Sequence, residues 1–211
     1  MIAIGMLTVE QLRTNHLERE LSEFYALRNC IEYFPPWHFH ETVFDHILSV
    51  LDALDKIVQR NNKELDCYLA EKPFGHYSRG ELLWLMAVFH DIAKPETIII
   101  DKQSYTSCPG HEKQGAIKMR PILNRFDLQP EEREHVLKMI ELHGIFCYTQ
   151  HREDPDEAFA ILKKQFPVLY LDLLIFELAD TRALLVAESG KKLQDDMIDF
   201  YEHKIVEYLN N

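Results

Sequence analysis

From Leu82 to Phe89 the chain is apolar at every position, and it then delivers His90, Asp91 and, three residues further on, Lys94. A helix that is apolar on all sides has to lie in the core of a fold, because none of its faces can be turned to water. An imidazole, a carboxylate and an ammonium at its end are therefore carried to the edge of that core. Burying each of them costs several kcal/mol, roughly, unless it meets a partner. The chain offers groups of the same kind at His46, His111, His143 and Asp180, each inside or opening a segment of helical character. Histidines and aspartates gathered by a helical scaffold point to one bound metal ion, or two.

The remaining segments fit the same scaffold. Leu7 to Asn29 reads as an amphipathic helix with a charged outer face, and Tyr33-Phe34-Pro35-Pro36-Trp37 as a helix stop and extended turn, since paired prolines cannot continue a helix. A second helix is expected from about Glu41 to Arg60, with Val43, His46, Ile47, Val50, Leu54 and Ile57 on one face. Ser78-Arg79-Gly80-Glu81 has the form of a capping box opening a third helix that ends at Lys94-Pro95. Ile98 to Ile100 with the polar turn behind them suggest a short hairpin between about residues 97 and 107. Helices are then expected from about His111 to Phe126, Pro130 to His143, Asp154 to Phe166, Pro167 to Ser189, and Lys191 to the end. Pro130 and Pro155 stand where the first turn of a helix tolerates proline. The fold class expected is all-α, a compact orthogonal bundle with at most that one hairpin. No repeat or Gly/Ser linker divides the 211 residues, so a single domain over 1–211 is expected.

Charge argues against some partners. A formal net charge of −12 gives no basic surface for a nucleic-acid backbone, and Lys163-Lys164 and Lys191-Lys192 read as solvated helix faces. Cys30, Cys67, Cys108 and Cys147 form no CxxC pair, so a zinc knuckle or a redox dithiol is not indicated and reduced thiols are expected. Met1 to Leu7 lacks the form of a signal peptide. The longest apolar run, Val168 to Ala179, contains Asp172 and Glu177 and is well short of the ~20 residues of a membrane span. A soluble, cytoplasmic protein with no membrane partner is expected.

Each candidate ligand has a bland alternative. His46 and His143 lie on apolar helical stripes, where a lone histidine is more often a satisfied core residue. His111 follows Cys108-Pro109-Gly110 and could simply cap a helix. Asp180 is harder to dismiss, because a buried carboxylate needs a cation or several donors. Taken together, neutral imidazoles and ionised carboxylates suit manganese, iron, cobalt, nickel or zinc better than calcium or magnesium. Neighbours on a helix diverge by about 100°. His90 and Asp91 can therefore share an ion only near the helix end, or with Asp91 bridging two ions.

The order His46, His90-Asp91, Asp180 resembles the H…HD…D signature of the HD-domain superfamily of metal-dependent phosphohydrolases. The resemblance is greatest to the HD domain attached to bacterial tRNA nucleotidyltransferases, the CCA-adding enzymes. Phe44-Asp45-His46-Ile47-Leu48 is similar to that domain's first metal histidine, following a Pro-Pro-Trp-His stretch here at Pro35 to His38. His90 to Thr97 is similar to its HDIGKP-type motif, with Ala93 where glycine is usual. Gly110-His111-Glu112 with Gly115-Ala116 resembles its GHE segment, and Leu178-Ala179-Asp180 its last aspartate. The likeness covers roughly residues 35–187. Only some thirty residues precede it, too few for a nucleotidyltransferase domain, so a stand-alone HD protein is the expectation.

The resemblance implies hydrolysis of a phosphate ester by a metal-activated water, on a small molecule such as a nucleotide, either a phosphomonoester or a cyclic phosphodiester. It assigns His46, His90, Asp91 and Asp180 to one metal ion, and His111 and His143 to a second ion or to the substrate phosphate. Lys94, one turn beyond His90, is expected to place a point charge on a phosphate oxygen. Arg182 is a weaker phosphate candidate, with a salt bridge as its alternative. Tyr105, Tyr148 and Arg152 are candidates for substrate specificity, and His38 and His40 for the pocket mouth. His16, His76, His135, His151 and His203 are expected at the surface. Two other readings stay open: an HD-type di-iron oxygenase and a non-catalytic nucleotide-sensing module. The substrate, the metal and any homo-oligomer are not fixed by the sequence.

Overall fold

The computed structural model describes residues 1–60, 62–149 and 153–210, with the side chain of Tyr148 left out. His151 and Arg152 lie outside the described residues. The chain runs α1 (Val9–Arg13), α2 (Ser22–Tyr25), β1 (Ile31–Phe34), β2 (His38–Thr42), α3 (Val43–Val58), α4 (Lys63–Ala70), α5 (Arg79–Phe89) and α6 (Lys94–Thr97). It continues through β3 (Ile99–Ile100), β4 (Thr106–Ser107), α7 (His111–Ile122), α8 (Pro130–Leu142), α9 (Ile145–Thr149), α10 (Pro155–Gln165), α11 (Tyr170–Ala183) and α12 (Lys191–Leu209). The class is all-α, as expected. Among the described residues no helix is long and apolar enough to cross a membrane.

Two helices form the centre. α5 starts at the capping box, in which Ser78 accepts from the Glu81 amide and Glu81 from the Ser78 amide, and it buries Leu82, Leu83 and Leu85 through Phe89. α11 buries every residue from Tyr170 to Ala179. It packs against α3, α5 and α12, while α5 also packs on α3 and α8, and α7 lies on α8. The Trp84 indole donates to the Leu7 carbonyl at 2.7 Å and ties the N-terminal segment to α5.

Three stretches depart from the sequence reading. Leu7 to Asn29 is not one helix but α1, α2 and a 3₁₀ turn at Ala26–Asn29. The Thr14 hydroxyl bonds back to the Glu10 carbonyl and Asn15 adopts a left-handed φ of 61°, which breaks the helix. Leu12, Leu17, Leu21, Phe24 and Leu27 are buried all the same, so the apolar spacing reported burial and not continuity. Pro35-Pro36 turns a hairpin, in which β1 pairs antiparallel with β2, where only an extended turn was read. The third helix stops at Phe89. The amides of Ile92 and Lys94 bond to the carbonyls of Phe89 and Asp91, closing tight turns, and Pro95 then occupies the first turn of α6. The expected hairpin near residues 97–107 is present as β3 and β4, its turn held by Asp101 Oδ1, which accepts from the amides of Gln103 and Tyr105.

Candidate metal centre

His46 comes from the second turn of α3, His90 and Asp91 from the turn ending α5, His111 from the first residue of α7, His143 from the end of α8, and Asp180 from α11. All but His111 sit where an apolar run meets the cavity, so packing of that run fixes the polar end, while His111 is held by its bond to the Cys108 carbonyl. The tight turn after Phe89 lets two adjacent side chains serve one place. The six ligand atoms fall into two groups of three, His46 with His90 and Asp180, and Asp91 with His111 and His143, each within 4.8 Å. Asp91 lies between the groups. Its Oδ2 is 3.1 Å from His90 Nε2, and its Oδ1 is 3.2 Å from His111 Nε2 and 3.7 Å from His143 Nε2.

The hydrogen bonds behind the rings decide what faces the middle. His90, His111 and His143 each place Nδ1 against a carbonyl three residues earlier, Ala87, Cys108 and Ile140, at 2.7–2.8 Å. A carbonyl only accepts, so each Nδ1 carries the hydrogen and each Nε2 presents a lone pair in the neutral ring. His111 Nε2 then meets His143 Nε2 at 3.1 Å, with the Asp91 carboxylate beside both. His90 Nε2 is buried without a hydrogen-bond partner, its lone pair 3.1 Å from Asp91 Oδ2. Acceptor faces acceptor at both places, and only positive charge reconciles them.

The ionisation of the cluster answers the same need. Burial, with the nearby rings of His111 and His90, holds His143 down to about 3, so it is neutral. Burial opposes the charged form of His46, but the bond to Asp180 (2.9 Å) and that residue's charge raise it to about 9. His111 is raised in the same way by Asp91. Burial disfavours the Asp91 carboxylate, yet the charges of His90 and Lys94 pull it well below the usual range. Asp180 is lowered against its own burial by His46. A divalent ion competes with the protons on His46 and His111 for the same lone pairs. The donor set therefore fits divalent metal.

Around the six lies a cavity of about 450 Å³, lined also by Glu32, Phe34, Trp37, His38, Lys94, Glu112, Cys147 and Glu177. Lys94 is buried, with Nζ 2.9 Å from Asp91 Oδ2 and 2.7 Å from Glu32 Oε2. The two carboxylates outweigh its burial and raise its pKa well above the ordinary value. His38 lines the cavity and contacts Glu41 at 3.0 Å, whereas His40 stacks on Tyr33 with ring centroids 3.9 Å apart. Arg182 is not in this cavity. It pairs with Glu202, which also holds Arg60 at 2.7 Å, and lines a separate hollow with Lys56 and Arg60. Tyr105 packs edge-on against Tyr33 and Phe34. His16, His76 and His203 are exposed. His135 is buried, 3.1 Å from Asp172, and is a core residue rather than a surface one.

Sequence reasoning missed Glu32, Glu41 and Glu177. The first two belong to the unforeseen hairpin. Glu177 was visible only as a charge interrupting an apolar run, although its place three residues before Asp180 puts both on one helical face.

Comparison with known proteins is consistent with this geometry. Over 162 residues the chain is 27% identical to the bifunctional uridylyltransferase/uridylyl-removing enzyme of Thiobacillus denitrificans, a match covering 73% of this chain and 18% of that one. The chain thus spans less than a fifth of that relative's length. Residues 43–180, well over half of the chain, match the HD domain family. All six converging side chains fall inside that span, and the chain belongs to the HD-domain family.

Proposed function

We propose that the protein is a metal-dependent phosphohydrolase of small phosphate esters, with His46, His90 and Asp180 holding one divalent ion, His111 and His143 a second, and Asp91 bridging. The observation that carries this reading is the convergence of lone pairs and carboxylate oxygens in two adjacent groups of three. The cavity charge supports two ions. Glu32, Asp91, Glu112 and Asp180 face the ammonium of Lys94, the single basic side chain among the described lining residues apart from histidines. An anionic ester is repelled by such a wall unless cations are bound in it. Divalent ions held there would lower the pKa of a coordinated water toward ~7 and offset charge on the phosphoryl group.

The chain's own residues orient and enclose. The carbonyls of Ala87, Cys108 and Ile140 fix the three ring tautomers. Lys94, held between Glu32 and Asp91, orients the bridging carboxylate and stands where it can also meet a phosphate oxygen. Phe34 and Trp37 at the cavity wall offer flat apolar surface to the organic part of the ester, which suits a nucleotide. The motifs at His90 to Thr97 and Gly110 to Ala116 support kinship with the HD domain of CCA-adding enzymes. Four unpaired cysteines suit the reducing cytoplasm. We further read residues 1–211 as a single domain of HD type.

The experiment is a panel of phosphomonoesters, nucleotides and cyclic phosphodiesters, assayed with metal-stripped protein and with manganese, iron, cobalt, nickel or zinc restored. Hydrolysis that returns with redox-inert zinc or with manganese supports the reading; no turnover with any ion overturns it. Six ligands in two groups also suit a di-iron oxygenase. That alternative requires two irons per chain, an iron-dependent absorption and activity with iron alone.

A further inference from the structure

One end of the cavity is built by residues that hold no ion in the scheme above. There α9, α11 and α12 bring Cys147, Glu177, Thr181, Leu184 and Met197 to the wall. Glu177 is 3% exposed and precedes Asp180 by nearly one helical turn. Among the described residues no cation is paired with it. Among the described residues its hydrogen-bond partner is the hydroxyl of Tyr201, which donates to Oε1 at 3.4 Å from a fully buried ring. Burial, and then the charge of Asp180, hold the Glu177 carboxyl well above the ordinary carboxylate range, which favours its protonated form. A carboxyl that only filled space would be a poor choice here, because leucine fits an apolar wall at lower cost. A neutral carboxylic acid in an apolar wall beside reacting groups is a hydrogen-bond and proton donor.

We propose that Glu177 donates the proton to the leaving oxygen of the ester and that Tyr201 positions it. The inference rests on the phosphohydrolase reading. In the step, the oxygen of water forms a new bond to phosphorus, and the bond between phosphorus and the organic oxygen breaks. The Glu177 proton moves to that organic oxygen, which departs as a neutral alcohol. Of the two protons of the attacking water, one stays on the phosphate and the other restores the Glu177 carboxyl. Water is the only co-reactant.

The test uses leaving groups that differ in their need for a proton. 4-Nitrophenol departs as its anion, whereas an alkyl alcohol does not. The parent protein, Glu177→Gln and Tyr201→Phe, each loaded with manganese, are assayed on 4-nitrophenyl phosphate and on the alkyl phosphate that the parent hydrolyses fastest. The ratio of alkyl to aryl kcat is expected to fall by about 100-fold in Glu177→Gln, a typical general-acid contribution, and several-fold in Tyr201→Phe, with metal content equal to the parent's. Equal losses on both esters, or an unchanged ratio, overturn the proposal. If Glu177→Gln fails to fold, the ratio in Tyr201→Phe decides in the same way. A parent that hydrolyses no ester of the whole panel with any ion overturns the phosphohydrolase reading itself, an outcome distinct from turnover with an unmoved ratio.

Discussion

Asp91 is the residue on which the centre turns, because each of its carboxylate oxygens faces a different group of ligands. Asp91→Ala is expected to reduce bound metal by more than the ~10–100-fold typical of losing a mere supporting partner, and to abolish hydrolysis while the helical circular-dichroism signal persists. Metal analysis and an ester assay on the variant check this; wild-type turnover would refute the assignment. Lys94→Ala removes both a cation near the phosphate and the clamp on Asp91. It is expected to raise KM for the ester and also to weaken metal binding by about tenfold, both readable in one titration series. Five of the six ligands were legible in the sequence because a histidine or aspartate on or ending an apolar run is conspicuous, and His111 as a histidine opening a helix. Glu32 and Glu41 were not, since a glutamate beside prolines and aromatics looks like an ordinary surface residue.

Among the elements, α5 and α11 are held together by charge as well as by apolar packing. Asp172, fully buried on α11, accepts from Tyr68 of α4 at 2.9 Å and Arg79 of α5 at 3.0 Å, and lies 3.1 Å from His135 of α8. Removing it strands buried donors, so Asp172→Ala is expected to lower unfolding stability by about 3–5 kcal/mol, the usual result of breaking a buried pair. Urea midpoints measure it, and a loss below about 1 kcal/mol would contradict the network. At the surface, Glu23 of α2 meets Arg125 at 2.6 Å, and that bond brings its pKa down to about 2. A depressed carboxyl contributes stability above its unfolded value near 4.5 and loses it as pH falls through 2. Glu23→Gln is therefore expected to cost about 1 kcal/mol at neutral pH, and the gap to the parent should narrow below about pH 5. A gap that stays constant down to pH 3 would exclude this ion pair as its source.

The elements also show why some of the fold was hidden. The Leu82–Phe89 run and the Ser78/Glu81 box marked α5 because both signals are local. The hairpin of β1 and β2 inverts the usual pattern: Ile31 and Phe39 are exposed, while Glu32 and Glu41 are buried toward Lys94 and His38. Alternation read for apolar burial cannot find a strand whose inward residues are carboxylates serving a site.

Across the whole molecule, a chain with net charge −12 gathers acidic groups around one cavity and answers them with converging imidazoles. Binding of ions to the folded state alone stabilises it, by about 2.7 kcal/mol for each at a hundred times its dissociation constant. Chelation is therefore expected to lower the melting temperature, and restored metal to recover it in a concentration-dependent way. A melting curve indifferent to both would argue against a structural metal centre. The most direct measurement is anomalous diffraction from a crystal grown with manganese. Two peaks are expected, one among His46, His90 and Asp180 and one among Asp91, His111 and His143. No peak at either place, or manganese bound only elsewhere, would contradict the metal centre and the hydrolase reading with it.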